Sequence, residues 1–290
     1  MPADFQLIRQ DDPAYPPSLT RVYRPPSQLY VRGQTAVLQS DRLLAVVGSR
    51  KATAYGQQAI IKLLTPAVRA GIILISGLAY GIDSMAHRLC LELSQPTIAV
   101  LGSGLDDASL YPQAHRGLAQ RIVQHGAVVT EYPPLTPPHL GHFPARNRLI
   151  AGLARATLVV QAAARSGSLI TARLALDSGK DVLAVPGAIT DPLSAGTNQL
   201  IQQGATPALT PQDILDLFGL SASAALVKTA HQLDTDQQLL LRTLTSDPQH
   251  IDELAQRTHL PPHTVSAALI QLEMLDAVHN VGGMQYVKNS

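Results

Sequence analysis

At 290 residues, 46% of them hydrophobic, the chain has the length and the apolar content for one large core and a small second one. A formal net charge of +1 announces no general affinity for polyanions. The single cysteine, Cys90, excludes an internal disulfide framework, and no apolar run reaches membrane-spanning length.

The N-terminal stretch MPADFQLIRQ lacks the apolar core of a signal peptide, and a reducing, cytoplasmic setting suits the cysteine count. Residues 1–40 carry Pro13, Pro16, Pro17, Pro25 and Pro26, and are expected to form an extended lead-in lying against the main domain.

From Leu43 the pattern alternates. Short β-branched runs at about 43–47, 72–76, 97–101, 127–130, 156–161 and 181–185 read as strands buried on both faces. Helical spacing at about 55–69, 82–93, 113–124, 144–153 and 168–178 falls between them. This order predicts an α/β core over 41–219, a doubly wound parallel sheet. A short helix is expected at Asn198 to Gln203.

Three strands run into glycine turns that open helices: Gly48-Ser49-Arg50, Ser76-Gly77 with Gly81 following, and Ser166-Gly167-Ser168. On one parallel sheet such turns open at the same edge. Unpaired amides at a helix N-terminus favour an anion there. Arg50 adds a guanidinium fork suited to a phosphate, although a tight turn with a solvated arginine fits the same residues.

The segment EYPPLTPPHLGHFP, residues 131–144, is the longest irregular connection, and FPARNRLIAG follows from Phe143. Two residues apart on a helix, Arg146 and Arg148 diverge by about 200°. One can meet a ligand while the other braces the fold, with Asn147 a hydrogen-bonding group between them. Phe143, one of three phenylalanines in a chain without tryptophan, reads either as a core anchor or as a platform for stacking a base. Asp83 and His87, one turn apart, fit a cap and a brace better than a metal pair, since no third ligand stands at a recognisable spacing. Cys90, between two leucines on a helix, reads as a core thiol. There is no G-x-G-x-x-G, no Walker lysine and no G-x-S-x-G turn, so neither cofactor nor metal is expected.

Residues 220–230, small and polar, read as a linker, and 231–290 as three helices and a hairpin in winged-helix order. Residues 41–219 hold 14 Lys/Arg against 11 Asp/Glu, whereas 220–290 hold 4 against 7. Residues 259–280 contain no Lys or Arg, so the small domain is expected to contact protein rather than duplex DNA.

Taken together, AVVGSR, SGLAYGID, AVLGSGLD, FPARNRLIAGL, SGSLITA, VPG and NQLI occur in an order that resembles the DNA-processing protein A (DprA, or Smf) family across residues 15–205. The C-terminal segment resembles the winged-helix domain of many members. The resemblance implies an extended Rossmann-like fold that forms a homodimer, binds single-stranded DNA cooperatively and loads RecA onto incoming DNA in natural transformation, with no known catalysis. On the reading of the turns above, the strand is expected at Gly48, Ser49, Arg50, Gly77, Phe143, Arg146, Asn147, Arg148, Ser166, Gly167 and Ser168, with Arg146 or Arg148 supplying charge. Where many relatives carry Arg, Glu and a basic residue, this chain has Tyr80, Gln161 and Leu140; His139 and His142 can supply positive charge below about pH 6.5. A second reading is a nucleotide-binding or nucleotide-cleaving enzyme of the related Rossmann-like group; a third is a partner-binding structural protein.

Overall fold

The structure, a computed structural model, describes residues 5–220, 234–245, 247–274 and 277–288. The linker expected at 220–230 lies, beyond Leu220, outside the described residues. The chain divides into two units, Met1–Ala222 and Ser223–Ser290.

The proline-rich lead-in is more than extended chain. It supplies two strands, β1 (Gln6–Arg9) and β2 (Gln28–Gly33), paired antiparallel. Leu29 and Val31 point inward with no exposed surface, and Ile8 and Leu19 join the same core. Prolines occupy the turns between the strands, where no ladder N–H is needed.

The expected apolar runs form β3 (Leu43–Val47), β4 (Ile73–Ser76), β5 (Thr97–Val100), β6 (Ala127–Thr130), β7 (Ala156–Val159) and β8 (Asp181–Ala184), with a two-residue β9 (Thr206–Pro207). The nine strands lie in the order β1-β2-β6-β5-β4-β3-β7-β8-β9. From β6 to β9 all neighbours are parallel, and β2 joins β6 antiparallel. The doubly wound α/β fold is therefore present, widened by the lead-in hairpin. Helices α1 (Ala54–Arg69), α2 (Ile82–Glu92), α3 (Arg116–His125), α4 (His142–Leu153), α5 (Ser168–Asp177), α6 (Ala195–Gln202) and α7 (Pro211–Leu215) complete the unit.

One feature of this order positions the site. The chain builds outward from β3 through β4, β5 and β6, then crosses back through α4 to place β7 on the other side of β3. Strand order reverses between β3 and β7, and loops leaving the carboxyl ends of two such strands diverge, opening a crevice.

The second unit holds α8 (Thr235–Thr243), β10 (Gln249–His250), α9 (Ile251–Thr258), α10 (Pro262–Met274), β11 (Val278–Gly282) and β12 (Gln285–Lys288). The Asp234 side chain caps α8 by accepting the Gln237 amide at 2.8 Å. Leu240, Leu254, Val265, Leu269 and Tyr286 close its core, and the sheet order β10-β12-β11 is that of a winged helix.

Candidate functional site

A pocket of about 420 Å³ occupies the crevice between the carboxyl ends of β3 and β7. The turn after β3 gives Gly48 and Arg50, the turn into α5 gives Ser166, Gly167 and Ser168, and α4 gives Phe143, Arg146 and Asn147. Eight of the eleven residues expected at the site thus meet in one place. Ser49, Gly77 and Arg148 do not line this pocket.

Arg50 is exposed, and among the described residues it has no carboxylate partner. Its guanidinium lies 5.8 Å from the centre of the Phe143 ring, a cation–π contact that leaves its N–H donors open. Phe143 is half-buried and also contacts Tyr111, at 5.4 Å between ring centres. It is therefore neither a buried anchor nor a loose ring.

At the other wall, the amide of Gly167 has no acceptor among the described residues, and the Ser166 and Ser168 hydroxyls share a hydrogen bond of 2.8 Å. These groups stand at the positive end of α5. Asn147 reaches across from α4, with Nδ2 donating to the Gly167 carbonyl at 3.5 Å.

Arg146 is 5% exposed, and its guanidinium is committed. It donates to the carbonyls of Gly77, at 2.9 Å, and of Val100, stitching the ends of β4 and β5 to α4. Burial pulls it down to about 10, opposed by Asp83 and assisted by repulsion from Arg50, so it stays charged at neutral pH. Asp83 accepts the amides of Gly77, at 3.1 Å, and Ala79, at 3.3 Å, so it ties the loop after β4 to α2 rather than capping the helix as expected from the sequence. Burial raises its carboxyl, against the attraction of Arg146 and those two amides. The charged residues lining the pocket are thus two arginines and one carboxylate, a net positive site.

The glycines have specific neighbours. A Cβ at Gly77 would stand 2.5 Å from the Arg146 guanidinium, and one at Gly48 would stand 2.5 Å from Ile82. Gly77 is required by the packing of Arg146, and it lines a narrow space beside the pocket with Tyr80, Tyr111 and Phe143. Ser49 donates its amide to the Gln161 carbonyl at 2.7 Å, so that amide is spent on the fold. Arg148 turns away, pairing with Glu131 at 2.5 Å.

Gln161 is fully buried: its Oε1 accepts the Thr53 amide at 3.0 Å, and its Nε2 donates to the Thr53 hydroxyl at 2.9 Å. Tyr80, 46% exposed, sits edge-on to His115 at 4.9 Å between ring centres. Leu140 is 84% exposed at the pocket mouth. His142 stacks on Tyr132 at 4.1 Å. His87 binds Thr97 at 2.8 Å and does not face Asp83 as a ligand partner. Among the described residues, no group of three His, Cys, Asp or Glu could hold a metal, and no helix is long and apolar enough to cross a membrane. Sequence reasoning missed Tyr111, whose aromatic–proline pair in a glycine-rich loop was the available signal.

Residues 6–219 match the family model described as DNA recombination-mediator protein A. The chain belongs to that family. A second model, the DprA winged helix domain, matches residues 224–284. Among this family, Protein Smf of Escherichia coli (strain K12) is 38% identical over 289 residues, 97% of this chain and 76% of that protein. DNA processing protein DprA of Streptococcus pneumoniae is 42% identical over 207 residues, 71% of this chain and 72% of that one. The X-ray structure of DNA processing protein A from Streptococcus pneumoniae superposes with a TM-score of 0.70 at 40% identity, over 74% of each chain. DNA processing protein A from Helicobacter pylori, a structure described by its single-stranded DNA binding mode, has a TM-score of 0.66 at 31% identity, over 76% of this chain and 99% of that one.

Proposed function

We propose that this chain binds single-stranded DNA in the pocket between β3 and β7. As a cytoplasmic homodimer it protects incoming strands and loads RecA onto them during natural transformation, with no chemical step and no cofactor. The observation that carries the reading is Arg50, without a carboxylate partner among the described residues and poised over Phe143, in one pocket with the open Gly167 amide and the Ser166 and Ser168 hydroxyls. A guanidinium and an open amide at a helix N-terminus suit a phosphate, and the adjacent ring suits a base of any identity. The family description and the single-stranded DNA binding of the Helicobacter pylori relative support it. The nucleotide-cleaving reading needs an acid or base free to act, and the pocket carboxylate, Asp83, is bonded to two amides. The small domain, acidic and without cations over 259–280, is assigned to protein contact.

Fluorescence anisotropy with oligothymidylate at several salt concentrations tests the binding. Affinity should fall with salt, with a slope of about −0.7 per phosphate neutralised, and duplex competitor should displace the strand poorly. Affinity independent of salt would exclude a phosphate site. A RecA strand-pairing assay tests loading separately.

A further inference from the structure

The pocket does not end at Arg50. A second groove, of about 460 Å³, begins on the far side of that residue and runs along α2. Arg50 lines both, and a narrow space bounded by Tyr80, Tyr111 and Phe143 joins them. The walls of the second groove include Lys51, Ser84, Arg88 and His115. Arg50, Lys51 and Arg88 give it three cations, and no carboxylate lines it.

Solitary surface cations are common and need no ligand. This arrangement differs in two ways. Lys51 and Arg88 are exposed and, among the described residues, form no ion pair, although Glu92 stands one turn beyond Arg88 on the same helix. They also face one concavity, which favours anions more than scattered charges do. At the passage, the Tyr80 ring is held edge-on by His115, itself fixed by a 2.7 Å bond between Nδ1 and the Leu78 carbonyl. Of the two spaces that Arg50 lines, the second groove is the more cationic, with three Lys or Arg side chains and no carboxylate against two arginines and one carboxylate in the first.

We propose that this groove is the strand's exit track, on the reading of the pocket given above. Lys51 and Arg88 bind the phosphates of nucleotides adjoining the one in the pocket, and Tyr80 stacks a base at the passage.

The test compares wild type with the Lys51→Ala/Arg88→Ala double variant on oligothymidylates of about 4 and about 16 nucleotides, a range spanning known single-strand site sizes. Both side chains are exposed and, among the described residues, form no ion pair, so the variant should fold normally. The expected result is a loss of about tenfold or more on the long probe, a much smaller loss on the short one, and a salt slope on the long probe shallower by about 1.4, from two contacts at about 0.7 each. Arg88→Glu should lose more than Arg88→Ala. Unchanged affinity and slope on the long probe would overturn the track. So would equal losses on both probes, which mean a general field effect on the pocket. If wild type binds neither probe, the reading of the pocket itself fails, and that result precedes any variant.

Discussion

Three arginines that look alike in the sequence do three different things. Arg50 is open, Arg146 is locked onto the carbonyls of Gly77 and Val100, and Arg148 is spent on Glu131. Arg50→Ala should therefore lower affinity for single strands about tenfold or more, the worth of a charge-assisted phosphate contact, with stability changed by less than about 0.5 kcal/mol. Arg146→Met should do the reverse first. It strands two carbonyls at roughly 1–3 kcal/mol each, so urea unfolding should show a loss of about 2–6 kcal/mol. If Arg146→Met unfolded like wild type, the bracing role would be wrong. The sequence carried part of this: helical spacing alone says that Arg146 and Arg148 diverge. It could not say which one braces, because the acceptors lie 69 and 46 residues away along the chain. The glycine turns were readable as turns, but the reason for Gly77 is the packing of Arg146, which no local pattern encodes.

Elements with strong periodicity were readable almost to the residue, as β3 and α2 show, because burial on both faces forces uninterrupted apolar runs. The β1–β2 hairpin was not, since its strands are short and set among prolines, and only its pairing with β6 makes Leu29 and Val31 a core face. Contacts between elements were equally hidden. The α2 helix is tied to β5 through His87 Nδ1 and the Thr97 hydroxyl, which itself donates to the Leu74 carbonyl at 2.8 Å. The hydroxyl proton is thereby used, so Nδ1 carries the imidazole proton. Burial, with His115 and Arg146 nearby, drives His87 down to about 3. In the unfolded chain it titrates near 6.5. A depressed pKa adds stability above about pH 6.5 that is lost as pH falls toward 3, by up to about 1.4 kcal/mol per pH unit. His87→Gln should flatten the decline in urea midpoint between pH 6.5 and 4. The contribution of Asp83 is common to both proteins and cancels. Equal slopes would show that protonation of His87 does not limit acid stability.

For the whole molecule, the division at Ala222 and Ser223 coincides with a change in the sign of charge. A chain ending at residue 222 should fold and keep most of its affinity for single strands, measured by the same anisotropy titration. Loss of binding by that folded truncation would move the site out of the sheet unit. Dimer formation, proposed above, would place two such pockets on one particle, so that a second contact on the same strand gains from effective concentration. All of this depends on one claim, that the strand lies where β3 and β7 part. A crystal structure with a short oligothymidylate tests it most directly. The account predicts a phosphate between the Arg50 guanidinium and the first turn of α5, with a base against Phe143. A strand bound elsewhere on the sheet unit, or on the small domain, with this pocket left to solvent, would contradict it.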